Sequence, residues 1–289
     1  MRGLGTALIT PFKADGSVDY EALARLLDTQ LMGYVDYIVV LGTTGEAATL
    51  TADEKREVRQ FIVKYVNGRL PLVLGVGGNN TAQVISDLQA MRNELILDFT
   101  AILSVCPYYN KPNQEGLFQH FCAIAEASPI PVILYNVPGR TGVNLLPETV
   151  IRIYEAHPEK IIGIKEASGN VEQIKHLINL INAEGNKREA LHVISGDDGI
   201  ACDVMEAGGA GLISVASNAF AEDFWHIVHE KDQVRQAKYA EMIRLLFAEG
   251  NPVGIKAVLA QKGIIQNHLR LPLVPASKEL QEKIQKELA

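Results

Sequence analysis

Short apolar runs rich in β-branched residues alternate along the chain with longer segments whose apolar positions recur at helical spacing. The first run, Thr6–Thr10, is predicted to be a strand. The other predicted strands are Tyr37–Leu41, Leu72–Val76, Thr100–Val105, Val132–Asn136, Ile161–Glu166, His192–Gly196 and Gly211–Val215.

A predicted helix occupies each gap between strands. The helix after the second strand has an S/T-x-x-E capping box at Thr51 and Glu54. Further helices are predicted to begin near Tyr20, Thr81, Gln114, Pro147, Asn170 and Gly199. Repeated strand–helix units favour a parallel sheet, and eight of them in roughly 225 residues predict an α/β fold, a TIM (β/α)8 barrel.

The pattern becomes purely helical after Phe224, with apolar spacing that continues to Ile284. We therefore predict two domains, a barrel over residues 1–224 and a C-terminal helical extension over residues 225–289.

Composition narrows the classes of function. The chain has 289 residues and a net charge of −7, and it lacks a Lys/Arg cluster, which argues against a nucleic-acid partner and favours a small-molecule substrate. Its three cysteines show no CxxC spacing, so no disulfide framework is expected and a cytoplasmic location is predicted. The sequence has neither the apolar core of a signal peptide nor an 18-residue apolar run, so we expect no membrane partner.

Lys165 lies next to the end of the predicted strand Ile161–Glu166, and in a barrel the active site forms where strands end. Lysine is seldom fully buried without a reason. One interpretation is an ion pair or a lysine whose amine reaches the surface. The other is a nucleophile, because an apolar pocket disfavours the ammonium form and leaves an amine able to attack a ketone.

Other polar residues follow strand ends. Tyr135 ends the neighbouring predicted strand; it is either a core tyrosine or a proton donor and acceptor. The segment 42–46, GTTGE, is either a capped tight turn or a site for a carboxylate or phosphate. The loop 107–112, PYYNKP, carries two aromatic residues that indicate a site or an interface. Arg140 is either solvated or suited to a substrate carboxylate.

Metal or nucleotide cofactors are not expected. The histidines lack HExxH spacing, and Asp197 and Asp198 are better explained as a helix N-terminal pair. The glycines of residues 75–78 lack the third glycine of a dinucleotide-binding fingerprint.

Taken together, these segments resemble the dihydrodipicolinate synthase and N-acetylneuraminate lyase superfamily, and more closely its dihydrodipicolinate synthase branch. The matching motifs are GTTGE at 42–46, PYYNKP at 107–112, YNVPGRTG at 135–142, GIKEASG at 163–169, SGDD at 195–198 and GLISV at 211–215.

The resemblance implies a class I lyase that forms a Schiff base between Lys165 and pyruvate. It implies that Tyr135 relays protons, that Thr43 links two tyrosines, and that Tyr109 enters the site of a neighbouring subunit. It also implies binding roles for Thr44 at the pyruvate carboxylate, for Arg140 at the carboxylate of L-aspartate 4-semialdehyde, and for Gly196 and Ile213 along the pyruvate pocket.

The implied enzyme condenses these two substrates in diaminopimelate and lysine biosynthesis, needs no cofactor, and is a homo-oligomer, expected to be a tetramer built as a dimer of dimers. The alternative is another pyruvate-dependent class I aldolase that acts on a sugar acid; Arg140 and Tyr109 argue against it. Lysine-inhibited relatives have polar residues in the inhibitor cleft where this chain has Ala47, Ala52, Lys55 and Gln83, so we expect weak or no inhibition by lysine.

Overall fold

The computed structural model describes residues 1–92, 95–183 and 190–289. Its strands form a closed barrel in chain order, from β1 to β8. The strands are β1 Gly3–Ala7, β2 Tyr37–Val40, β3 Leu72–Gly75, β4 Ala101–Val105, β5 Val132–Asn136, β6 Ile161–Glu166, β7 His192–Ser195 and β8 Gly211–Ser214. The predicted TIM-barrel class is therefore confirmed.

Helices follow the strands and continue beyond the last one. They are α1 Tyr20–Gln30, α2 Ala52–Val66, α3 Thr81–Met91, α4 Gln114–Ala127, α5 Pro138–Thr141, α6 Pro147–Ala156, α7 Val171–Asn182, α8 Ala201–Glu206, α9 Ser217–His229, α10 Gln233–Lys238, α11 Ala240–Phe247, α12 Val253–Gln261 and α13 Lys278–Leu288. In the three described ranges, none of these helices has the length and apolarity to cross a membrane.

The predicted first strand was wrong in its position. Thr6–Thr10 was predicted, whereas β1 spans Gly3–Ala7 and pairs with β2 from Gly5 to Ala7. The run is apolar almost continuously from Leu4 to Ile9, so hydrophobicity alone does not mark where pairing ends. Thr10 instead uses its hydroxyl to donate to the Gly45 carbonyl, 2.7 Å away.

The predicted capping box of α2 is present. The Thr51 hydroxyl accepts from the Glu54 backbone N–H at 3.2 Å, and the Glu54 carboxylate accepts from the Thr51 N–H at 2.9 Å. These bonds satisfy two of the amide groups that a helix start leaves unpaired.

The chain divides into two compact units. One comprises Met1–Gly3 and Leu72–Ile213, and the other Leu4–Pro71 and Ser214–Ala289. In the first unit, α3, α4, α6 and α7 pack side by side; in the second, α9, α11, α12 and α13 pack together. The predicted division at 224–225 falls within α9 and stays a prediction.

Candidate active site

Lys165 lies near the carboxyl end of β6, between β5 and β7 in the first unit. It is paired in register with Tyr135 on one side and Ile194 on the other. The strand is buried over nearly its whole length, and Lys165 is only 6% exposed. Of the two interpretations of Lys165, the structure therefore favours the buried side chain. Its chemical role stays a prediction.

Tyr135 lies directly against the lysine. The Lys165 Nζ is 4.5 Å from the centroid of the Tyr135 ring, and the tyrosine is 7% exposed. Residues paired in register on parallel strands project from the same face of the sheet. An amine and a phenol ring therefore lie side by side in one buried environment.

Gly196 leaves the space that the lysine side chain fills. A Cβ atom at this position would lie 2.8 Å from Lys165 Cε and 2.6 Å from Ala167 Cβ, closer than real Cβ contacts come. Ile213, the other residue predicted to line the pocket, is 1% exposed in β8. Gly196 is thus required sterically for the observed position of Lys165.

Glu166, the next residue of β6, is buried among hydrogen-bond donors. Asn136 Nδ2 lies 3.2 and 3.0 Å from its two carboxylate oxygens, the Ser168 N–H donates at 2.9 Å, and Gln173 Nε2 donates at 3.2 Å. Burial raises the pKa of Glu166, and these donors only partly oppose that rise. Because successive strand residues face opposite sides, this network joins the ends of β5 and β6 behind Lys165.

The loop of residues 107–112 is tied to α5. The Tyr109 N–H donates to the Thr141 carbonyl at 3.3 Å. Tyr109 is 89% exposed and has a φ of 73°, and Lys111 has a φ of 47°. Left-handed backbone is uncommon outside glycine and often marks functional loops. Arg140 is exposed within α5.

Thr43 and Thr44 belong to the second unit, in a 3-10 turn, Thr43–Gly45, that begins shortly after β2 ends. Thr43 is exposed and Thr44 is 2% exposed. The Thr44 hydroxyl oxygen accepts from Asn251 Nδ2 at 3.0 Å. After this turn Glu46 adopts a left-handed conformation and forms an ion pair with Lys256.

Three polar residues that contact or adjoin the candidate site residues were not predicted from the sequence: Asn136, Glu166 and Asn251. Asn136 and Glu166 carried a signal, because each is a polar residue that ends an otherwise apolar strand. The sequence gives no such signal for Asn251, since its contact with Thr44 joins positions 207 residues apart.

Candidate metal sites were sought as groups of three or more His, Cys, Asp or Glu side chains. Over residues 1–92, 95–183 and 190–289, no such group is present.

Comparison with known proteins identifies the family. All 289 residues, 1–289, match the model of the dihydrodipicolinate synthetase family. The chain belongs to this family. It is 48% identical to the 4-hydroxy-tetrahydrodipicolinate synthase of Parabacteroides distasonis, over 100% of this chain and 96% of the relative.

Solved structures of dihydrodipicolinate synthases are also similar. The Thermotoga maritima enzyme superposes with a TM-score of 0.93 at 39% identity, covering 100% of this chain and 97% of that one. The Acinetobacter baumannii enzyme, solved in complex with pyruvate, has a TM-score of 0.91 at 38% identity, covering 99% and 97%. These relatives confirm the predicted family and the predicted enzyme class, a carbon–carbon lyase-type synthase. The roles of individual residues remain predictions.

Proposed function

We propose that this member of the dihydrodipicolinate synthetase family is a 4-hydroxy-tetrahydrodipicolinate synthase, which condenses pyruvate with L-aspartate 4-semialdehyde. The observation that carries the proposal is the buried amine of Lys165, 4.5 Å from the centroid of the Tyr135 ring. A buried amine beside a phenol is suited to form an imine with a ketone and to move the protons that this step requires.

The first half of the reaction takes place on Lys165. The neutral amine attacks the pyruvate ketone, and uptake of one proton with loss of one water gives a protonated imine. The imine withdraws electrons from the methyl group, a base removes one methyl proton, and an enamine forms. We assign to Tyr135 the receipt and return of the protons of the hydroxyl and amine groups in these steps, which its position beside the amine supports.

The second half forms the carbon–carbon bond. The enamine carbon attacks the aldehyde, whose oxygen takes up a proton, and the imine forms again. The amine of the second substrate then attacks the imine carbon and displaces Lys165, which closes the ring and frees the enzyme. Arg140 is assigned to the carboxylate of the aldehyde substrate, since its guanidinium matches a carboxylate with two parallel hydrogen bonds.

The remaining assignments belong to the same proposal. Thr44 binds the pyruvate carboxylate, with Gly196 and Ile213 lining that pocket, and Thr43 and Tyr109 complete the proton relay. Because the imine itself accepts the electrons, the reaction needs no metal or organic cofactor.

We extend the proposal to the assembly and its setting. Tyr109 enters the site of a neighbouring subunit in a tetramer built as a dimer of dimers, in which each chain has a barrel domain over residues 1–224 and a helical domain over residues 225–289. The cysteine usage of the chain supports a cytoplasmic setting.

A substrate panel tests the proposal. The purified enzyme is supplied with pyruvate in every assay. The second substrate is L-aspartate 4-semialdehyde in one set of assays and an aldehyde derived from a sugar acid in the other. We expect turnover with the semialdehyde and a loss of roughly 100-fold or more in kcat/KM for it in Arg140→Ala, because a charge-assisted bidentate contact is removed. Turnover with sugar-derived aldehydes alone would place the enzyme among the sugar-acid aldolases.

A further inference from the structure

We infer that Asn251 is a positioning residue that orients the hydroxyl of Thr44 toward the pyruvate carboxylate. The inference rests on the proposed role of Thr44 at that carboxylate. Asn251 precedes α12 by two residues, is 8% exposed, and places its Nδ2 3.0 Å from the Thr44 hydroxyl oxygen. A residue of the C-terminal region thereby contacts a predicted substrate-binding side chain.

Hydrogen-bond chemistry gives this contact a direction. A threonine hydroxyl has one hydrogen to donate and two lone pairs that accept, whereas an amide NH2 group only donates. Asn251 therefore occupies a lone pair of Thr44 and leaves the hydroxyl hydrogen free for an anionic ligand. A hydroxyl that already accepts a hydrogen bond is also polarised and becomes a stronger donor.

A second contact holds the same two segments together. Glu46, two residues after Thr44, forms an ion pair with Lys256 of α12, and both side chains are almost fully buried. The ammonium group also donates to the His268 carbonyl at 3.0 Å and lies 4.2 Å from the centroid of the Phe12 ring.

The ion pair is a structural anchor. Burial lowers the pKa of Lys256 to about 8, while Glu46 opposes the shift. Removing one member of a buried pair leaves the other charge buried without a partner, which is strongly unfavourable, so this contact resists displacement of the turn. The ion pair fixes the distance between the turn and α12. Because Asn251 lies next to α12, its amide group is held at hydrogen-bond distance from the Thr44 hydroxyl.

A positioning role and a purely structural role predict different kinetics. In a two-stage reaction, kcat/KM for pyruvate reports imine formation, and kcat/KM for the aldehyde reports the later steps. We expect Asn251→Ala to lower kcat/KM for pyruvate about tenfold, the equivalent of one hydrogen bond, with little change for the aldehyde. Asn251→Asp should have a larger effect, because a carboxylate accepts the Thr44 hydrogen and repels the ligand.

The decisive experiment is a double-mutant cycle on the full-length enzyme, with steady-state kinetics and thermal unfolding measured for each variant. It uses Asn251→Ala, Thr44→Val and the double variant, with the near-isosteric Asn251→Asp as a second probe and the exposed Asn182→Ala as control. Because Asn251 acts through Thr44, the double variant should have the kcat/KM for pyruvate of Thr44→Val alone.

The outcomes separate the two proposals. Full additivity in the cycle, or equal losses of kcat/KM for both substrates, overturns the role of Asn251. No effect of Thr44→Val on kcat/KM for pyruvate overturns instead the assignment of Thr44 to the carboxylate. If Asn251→Ala does not fold, Asn251→Asp decides: an unchanged kcat/KM for pyruvate contradicts the inference.

Discussion

The reactivity that we propose for Lys165 depends on the residues that surround it. Tyr135 covers its amine with an aromatic face, Gly196 leaves room for its side chain, and Glu166 lies buried on the opposite side of the strand. At an exposed lysine, water would solvate the ammonium form and would compete with a ketone for contact with the amine. The near-complete burial of Lys165 therefore favours the proposed imine formation with a ketone.

Substitution of Gly196 tests this steric argument. Gly196→Ala places a methyl group 2.8 Å from Lys165 Cε, so the lysine must move. We expect a loss of about 1–3 kcal/mol in the free energy of unfolding and roughly 100-fold slower imine formation with pyruvate. Chemical denaturation and the rate of reductive trapping measure the two effects.

Gly78→Ala is the matched control, because its added methyl group would meet only Val84 Cγ2, at an ordinary 3.4 Å. Equal behaviour of the two alanine variants would contradict the steric role of Gly196.

At the scale of elements, the sequence predicted best where polar residues mark an end. The bounds of β5 and β6 were predicted correctly, since Asn136 and Glu166 close their apolar runs. The predicted position of β1 was wrong because its apolar run continues past the residues that pair with β2. The contact between Thr44 and Asn251 could not be predicted, since hydrophobic periodicity carries no information about pairs so distant along the chain.

The start of α2 gives a pH-dependent prediction. Glu54 forms an ion pair with Arg270, and the hydrogen bond from Arg270 lowers the pKa of Glu54 to about 2. A carboxyl group with a depressed folded-state pKa stabilises the protein above its unfolded pKa, roughly 4.3, and loses that contribution as the pH falls toward 2.

Glu54→Gln isolates the ion pair, because glutamine can retain the capping box. At pH 7 we expect the free energy of unfolding of this variant to be about 1 kcal/mol lower than that of the unchanged protein. The loss is small because solvent screens the ion pair. The difference should shrink as the pH falls below about 4.3, as measured by urea unfolding. Exposed Glu282→Gln serves as the control; a Glu54→Gln deficit that stays constant with pH would contradict the assignment.

At the scale of the whole molecule, the family match spans residues 1–289, so the barrel and the C-terminal helices belong to one family architecture. The contacts of Glu46 with Lys256 and of Thr44 with Asn251 give the C-terminal region a direct connection to a predicted substrate-binding turn. The same region thereby stabilises the fold and contributes to the proposed site.

Regulation is also a property of the whole molecule. From the family resemblance, we expect Ala47, Ala52, Lys55 and Gln83 to stand where lysine-inhibited relatives have polar residues. The ammonium group of lysine would then lose acceptors and meet an added cation. We expect weak or no inhibition, with at least half of the turnover retained in about 1 mM L-lysine, a concentration at which even weak ligands bind. Steady-state assays with L-leucine as the control ligand measure this, and half-inhibition by about 10 µM lysine would contradict the prediction.

The most direct test of the central claim is borohydride reduction of the enzyme in the presence of pyruvate, followed by mass analysis of its peptides. Imine formation at Lys165 predicts one reduced pyruvate adduct, on the peptide that contains Lys165, and its loss in Lys165→Met. An adduct on another lysine, or an unmodified enzyme that nevertheless turns over pyruvate, would contradict this role of Lys165.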